Sequence, residues 1–186
     1  SIAPYWYDVN DNKKTWTNKQ IVQRSCGKFR REWESSSMKD KSYTPENYPI
    51  LRYGDVLLML AEAENEAHQG PTDLAYECIN EIRQRAGISK LEGLSYTDFQ
   101  QAVRDERARE LCFESLRKYD LVRWGIYVEA IHDKLGAATQ DKRWATGNQF
   151  IGARDYAART QEKHQFLPIP TKELDVNGKL EQNKYW

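Results

Sequence analysis

The sequence is poor in the residues that mark several common classes. It holds three cysteines, Cys26, Cys78 and Cys112, in 186 residues. They form no Cys-x-x-Cys unit and have no histidine nearby, which argues against a zinc site or a disulfide framework. Net charge is absent, because 28 Lys and Arg balance 28 Asp and Glu. Polyanion binding usually leaves a basic excess, so no nucleic-acid partner is expected. The longest apolar run, Val56 to Ala61, is six residues. That is far short of the about 18 needed to cross a bilayer. Ser1-Ile2-Ala3-Pro4-Tyr5-Trp6 carries no charged n-region and no apolar h-region. The chain is therefore expected to start after processing, or within a longer protein. His68, His132 and His164 are scattered, so no three-histidine metal site is predicted.

What is present is a solvated, aromatic-rich chain. Charged residues make up 30% and aromatics 12%, and the mean hydropathy is −0.87. That aromatic share is too high for a disordered tail. A chain of this length forms one domain or part of a larger one, and can bury about 70% of its unfolded surface. Three stretches differ in character. Residues 1–50 are loop-rich and aromatic, with little glycine. Residues 51–135 carry helical periodicity. Residues 136–186 begin as a polar insertion and end in an extended strap, because Leu167-Pro168-Ile169-Pro170 cannot be helical.

Helix signals are clear in the middle stretch. At about 100° per residue, Tyr53, Val56, Leu57, Leu60, Ala63 and Ala67 share one face of a helix over 51–69. Leu58 and Met59 lie off that face, so the first half is expected to be buried nearly all round. Gly70-Pro71 ends it. Residues 72–86 form a second helix, with a stripe of Leu74, Ala75, Cys78, Ile79, Ile82 and Ala86, closed by Gly87. The two make an αα-hairpin. A third helix spans 97–117, capped by Ser95 with Asp98 or by Thr97 with Gln100. Its stripe is Phe99, Ala102, Val103 and Phe113. A fourth helical stretch runs from about Tyr119 to Leu135. Residues 136–166 have few apolar repeats and read as a long insertion.

Charge falls where apolar residues belong. Glu106, Glu110 and Arg117 project within about 20° of Phe99 on an ideal helix, and Glu64 faces the apolar stripe of the first helix. A carboxylate set against a core costs several kcal/mol (roughly) unless it is paired. Arg52, Arg83, Arg107, Arg117 and Arg123 are the candidate partners. The expected outcome is a structural ion network of Glu64, Glu106, Glu110, Arg117 and Arg123. The functional alternative is a glycoside hydrolase using Glu106 and Glu110, which would need a cleft and two tuned pKa values. A carboxylate-bridged metal centre would need two Glu-x-x-His units, and only Glu129-Ala130-Ile131-His132 fits.

Several segments together are familiar. Arg52-Tyr53-Gly54-Asp55-Val56-Leu57-Leu58-Met59-Leu60-Ala61-Glu62-Ala63 resembles the RYADVLLMYAEA helix of SusD/RagB-like proteins. Ile79 to Gly87 resembles that family's LNEVRARAG helix, and Glu106 to Glu114 its ERRRELAFEG segment. Arg117-Lys118-Tyr119-Asp120-Leu121-Val122-Arg123-Trp124-Gly125 is similar to HRWFDLVRWG. Leu167-Pro168-Ile169-Pro170, Glu173-Leu174 and Gln182-Asn183 resemble the family's LPIP…EL…QNPGY ending. The order and spacing agree over roughly residues 28–186, as the C-terminal portion of such a protein. Gly54, Leu116 and Lys184 depart from the usual Ala, His and Pro.

The resemblance implies an all-α fold, a SusD-like scaffold of tetratricopeptide-like helix pairs with long irregular loops. It implies an outer-membrane, cell-surface lipoprotein, with its signal peptide and lipid anchor outside this segment. It implies glycan or other nutrient binding without catalysis or cofactor, and delivery to a SusC-like TonB-dependent transporter. Sugar rings present flat C–H faces edged with hydroxyls, so exposed aromatic planes beside amide and charged groups suit them. Tyr5, Trp6, Tyr7, Trp16, Trp33 and Trp144 are the expected ligand-binding residues. Arg143, Asn148, Gln149, Phe150 and Tyr156 accompany Trp144 in a second set. A rival reading is a helical adaptor that binds only protein, with these rings buried.

Overall fold

The computed structural model describes residues 5–7, 10, 12–17, 26–30, 33–34, 44, 46–137 and 148–186, with Tyr7 and residues 148–151 described by backbone alone. The described chain is mostly helical. Its one sheet is a two-stranded antiparallel hairpin of β1 (Tyr5–Tyr7) and β2 (Lys13–Thr15), with Trp6 opposite Lys14. Two compact units are present: residues 1–15 with 24–117, and residues 16–23 with 118–186.

The first unit is built on α1 (Tyr53–His68), α2 (Asp73–Arg85) and α3 (Tyr96–Glu110). The punctuation follows the local chemistry. Gln69 takes a left-handed conformation (φ 52°) after α1, just before Gly70-Pro71. Thr72 caps α2 by accepting the Ala75 N–H at 3.1 Å. Gly87, at φ 72°, ends it, and the Ile88 N–H returns to the Arg83 carbonyl at 2.9 Å. Ser95, not Thr97, caps α3, accepting the Asp98 N–H at 3.2 Å. Leu57, Leu58, Ala61, Ala75, Cys78, Ile79, Ile82, Phe99 and Val103 form one core between the three helices. Asn80 pins the loop before α3 with a reciprocal pair of bonds to the Leu91 backbone, at 2.9 and 2.7 Å.

The buried face of α1 is not the one its apolar stripe predicts. Gly54, Asp55, Leu57, Leu58, Ala61 and Asn65 are buried. Of the expected face only Leu57 joins the core, while Tyr53, Val56, Leu60, Ala63 and Ala67 are exposed, Tyr53 to 65%. The helix is turned because its two buried polar residues have partners. Asp55 accepts from Arg107 at 2.8 Å, and the Asn65 amide donates to the Tyr96 carbonyl at 3.2 Å. On α3, Phe99 and Val103 are buried with Glu106 and Arg107. Phe113 is exposed instead of continuing the stripe, because α3 ends at Glu110 and Phe113 sits in a turn at φ 66°.

The second unit replaces the expected continuous fourth helix with a broken one. After α4 (Arg117–Arg123), Gly125 at φ 70° breaks the chain. Then come α5 (Tyr127–Ala130) and a π-helical segment, Ile131–Gly136. The stretch read as an insertion contains α6 (Asn148–Arg159), a twelve-residue helix. A 3₁₀ turn (Glu162–Gln165), the extended Leu167-Pro168-Ile169-Pro170 and α7 (Thr171–Val176) follow. Leu121, Tyr127, Ala157 and Thr160 are buried here.

Candidate functional site

Each unit carries a cavity, and the two differ in chemistry. The cavity of the first unit, of ≈ 460 Å³, is lined by Lys28, Phe29, Trp33, Glu46, Arg52, Arg85, Glu110 and Glu114, among others. Its polar wall follows from where α1 begins and α3 ends. Arg52 precedes α1 and directs its guanidinium at Glu110 and Glu114, with Nε 2.8 Å from the Glu114 carboxylate and Nη2 2.6 Å from the Glu110 carbonyl. Arg85 meets the other Glu110 oxygen at 2.6 Å, and Lys28 pairs with Glu114. Glu114 lies between two left-handed residues, Phe113 at φ 66° and Ser115 at φ 61°. Such backbone is unfavourable for non-glycine residues and persists where neighbouring contacts hold it. Gly54 also has a packing reason here. A Cβ at that position would lie 2.8 Å from Arg52 Nη1 and 3.0 Å from Glu110 Oε1.

Burial alone would push the Glu110 and Glu114 carboxyls up. The hydrogen bonds from Arg85 and Arg52 to Glu110, and from Arg52 and Lys28 to Glu114, win and hold both below the ordinary value of 4.5. A carboxyl depressed in the folded state contributes stability above its unfolded pKa and loses it as pH falls through the folded one. The urea midpoint should therefore hold steady down to about pH 4.5 and drop progressively below it. A midpoint that stays level under acid would mean these pairs contribute nothing.

The remaining predicted network residues lie elsewhere. Glu106, 3% exposed, pairs with Arg83 at 2.9 Å and Arg109 at 3.4 Å. Glu64 accepts from the Thr72 hydroxyl at 2.7 Å. Arg117 is exposed and donates to the Arg104 carbonyl at 3.1 Å. Arg123 pairs with Asp120 at 3.0 Å, with its guanidinium 4.7 Å from the Trp124 ring. Of the pairing arginines, Arg83 and Arg85 are thus on α2, Arg107 and Arg109 on α3, and Arg52 directly before α1.

Of the expected ligand aromatics, three share one strand. Tyr5, Trp6 and Tyr7 form β1, and the Tyr5 ring already meets Lys13 at 3.7 Å and Arg30 at 4.3 Å. Trp6 and Trp16 are half-buried. Trp33 is 62% exposed and lines the first cavity. Trp144 and Arg143 lie outside the described residues, as do the side chains of Tyr7, Asn148, Gln149 and Phe150.

The cavity of the second unit, of ≈ 390 Å³, is aromatic. Tyr127, Tyr156, Phe166 and Trp186 line it with His164, Lys118, Asp155, Arg159, Thr160 and Leu167. Its wall is assembled from distant segments by backbone recognition. Gln182 grips both backbone groups of Ile169, at 2.8 and 2.9 Å, and the Asn183 amide donates to the Leu167 carbonyl at 2.6 Å. The strap needs such side-chain partners because alternating prolines deny it a ladder. This docking brings Trp186 back to residues 163–166, where its indole N–H donates to the Lys163 carbonyl at 2.9 Å. The His164 ring stands edge-on to Trp186 at 5.9 Å. His132, from the π-helical segment, meets the Thr160 carbonyl at 2.8 Å and fixes the end of α6. The Tyr127 and Tyr156 hydroxyls are hydrogen-bonded. Burial, then that bond, raises the Tyr127 pKa to about 12.

Sequence reasoning found one of these residues, Tyr156, in its second aromatic set. Tyr127, Phe166 and Trp186 carried no common signal, since nothing local says that the chain end folds back onto residues 163–169.

The SusD family model (SusD_RagB) matches residues 3–186. The chain belongs to the SusD family. It is 40% identical over 139 residues to the SusD-like protein P25 of Formosa agariphila, a match covering 73% of this chain and 23% of that protein. A second protein of that organism, SusD-like protein P2, is 29% identical over 148 residues, covering 74% of this chain and 25% of its own. Among solved structures, a SusD homologue from Bacteroides thetaiotaomicron is 30% identical with a TM-score of 0.70, covering all of this chain and 40% of that one. A SusD superfamily protein from Bacteroides vulgatus gives 28% and 0.56, covering 81% of this chain and 31% of its own. The chain thus spans about a quarter of the curated relatives it matches. The helical fold agrees with these SusD relatives, and the LPIP strap and its Gln182-Asn183 clasp are part of the matched region.

Proposed function

We propose that this chain is part of a cell-surface glycan-capture protein that holds an oligosaccharide, or another nutrient of similar chemistry, without reacting it. The observation that carries the reading is the second unit's cavity, where Tyr156, Phe166 and Trp186 present rings beside Asp155, Arg159 and Lys118. Aromatic faces take the C–H side of a sugar, and the rim takes its hydroxyls. The first unit's cavity is less suited, because its Lys28, Arg52, Arg85, Glu110 and Glu114 already satisfy one another. Family membership supports the same reading. With it go the expectations of an outer-membrane lipoprotein, anchored outside this segment, that delivers its cargo to a SusC-like TonB-dependent transporter.

Hydrolysis by Glu106 and Glu110 finds no support in the site chemistry. A general acid needs a carboxyl held protonated near neutral pH. Glu110 is held the other way by two arginines. One observation favours the adaptor reading, the apolar strip of Tyr53, Val56, Met59 and Leu60 exposed along α1.

Titration of tryptophan fluorescence with a panel of oligosaccharides separates the two. Capture predicts a saturable response to one glycan class, with affinity reduced about tenfold or more by Trp186→Ala or Tyr156→Ala. Trp33→Ala, Trp16→Ala and Trp6→Ala should leave it within about twofold. A silent panel would favour the adaptor. A response lost with Trp33→Ala instead would move the site to the first cavity.

A further inference from the structure

We propose that the second unit's cavity selects an anionic saccharide, one bearing a carboxylate or a sulfate ester. The proposal rests on the capture reading above and names the class of ligand for that site. Its basis is the charge left open along the aromatic wall. Arg159 is exposed, and its side chain makes no hydrogen bond or ion pair among the described residues. Lys118 is exposed as well. Its ammonium lies 5.3 Å from the Tyr127 ring centroid and has no carboxylate partner among the described residues. Asp155 is the one side-chain carboxylate of the lining, set against the two cationic side chains of Lys118 and Arg159. His164 adds a donor. Its Nδ1 accepts the Gln161 N–H at 2.8 Å, which assigns the ring proton of the neutral form to Nε2.

The contrast with the paired arginines sharpens the point. Total charge is balanced at 28 and 28, and Arg52, Arg83, Arg85, Arg107, Arg109 and Arg123 each lie against a carboxylate. Arg159 stands instead beside rings, at the lip of a concave surface. An unpaired guanidinium there is a fork for a planar or tetrahedral anion, and it binds bidentately where an ammonium gives a point contact. A sugar stacked on Trp186 or Tyr156 would place a ring substituent at that lip. Asp155, an acceptor only, would then take its hydroxyl donors, which fixes orientation without neutralising the cations. A neutral sugar gains the stacking and loses the charge-assisted bonds, so discrimination comes from Arg159 and Lys118.

The test is calorimetric titration of the whole chain with oligosaccharides of equal length from a polyuronate, a sulfated galactan and a neutral glucan. The expected result is that one anionic series binds about tenfold or more tightly than the neutral one, and that this preference shrinks as salt rises. Arg159→Gln should remove about tenfold from the anionic affinity and less from the neutral one, with the melting temperature unchanged, and Arg159→Lys should restore part of the anionic affinity. The carboxylate and sulfate arms tell which anion is recognised. Neutral binding as tight as anionic, still abolished by Trp186→Ala, would overturn the proposal and leave capture standing. Anionic binding indifferent to Trp186→Ala would be general polyanion attraction and would overturn it as well. No binding in any series would overturn both.

Discussion

Arg107→Met should destabilise the chain by about 3–5 kcal/mol. Arg107 and Asp55 form an enclosed ion pair, 5% and 9% exposed, at 2.8 Å. Removing the guanidinium leaves the Asp55 carboxylate in the first turn of α1, buried and without that partner. The loss comes from stranding a charge, not from forfeiting a strong bond. It follows that Asp55→Leu combined with Arg107→Met should recover most of the deficit, since apolar replacement of both members of such a pair is often nearly neutral. Arg85→Ala is the control. Arg85 is 58% exposed and Glu110 keeps Arg52, so a change under about 1 kcal/mol is expected. Urea unfolding of the four proteins decides it. Arg107→Met at wild-type stability would mean that water reaches Asp55 and that the pair does not fix the α1–α3 contact.

Phe99→Ala should cost a similar amount, about 3–5 kcal/mol. Phe99 is fully buried, where α3 meets α1 and α2. Its ring stands edge-on to Tyr76 at 5.0 Å and 78°, a geometry worth about 0.5–1.5 kcal/mol beyond area. The Tyr76 hydroxyl in turn accepts the Leu94 N–H at 2.7 Å, so the cavity would also loosen the loop leading into α3. Phe113→Ala should do almost nothing, although the sequence puts both rings on one stripe, because Phe113 is half exposed at a positive φ. Melting curves of the two variants compare them directly. Equal losses would place Phe113 in a core that the structure denies it.

That pair shows where a periodic reading stops. The stripe through Phe99 and Val103 is correct as far as the helix persists, and it fails at Phe113 because α3 ends at Glu110. Helix ends depend on the turn that follows, here held by the contacts of Glu114 with Lys28 and Arg52 from distant sequence. The α1 face misleads for a related reason. Asp55 and Asn65 read as solvent residues, so the apolar count turns the helix away from them. Inside, Arg107 pairs with Asp55 and the Tyr96 carbonyl takes the Asn65 amide N–H, and the strip of Tyr53, Val56, Met59 and Leu60 is left exposed. The failure at α6 is different: Phe150, Ile151, Tyr156 and Ala157 are present, but they sit in a stretch whose overall polarity reads as an insertion.

The family and its helical class were legible in the sequence, because five motifs occur in the required order and their caps and breakers act locally: Thr72 and Ser95 at helix starts, Gly87 at an end, two prolines in the strap. The sequence also announced charge in the core, since Glu106 and Glu110 recur at helical spacing with Phe99. Tertiary structure alone decided the partners. Arg83 takes Glu106, Arg52 and Arg85 take Glu110, and Arg107 goes to Asp55. Tertiary structure also decided the candidate site. Its rings come from positions 127, 156, 166 and 186, and they meet because Gln182 and Asn183 recognise the strap backbone and His132 ties down the end of α6. Contacts between residues far apart in the chain leave no spacing to read, so an aromatic cluster assembled by them is visible only once the chain has folded.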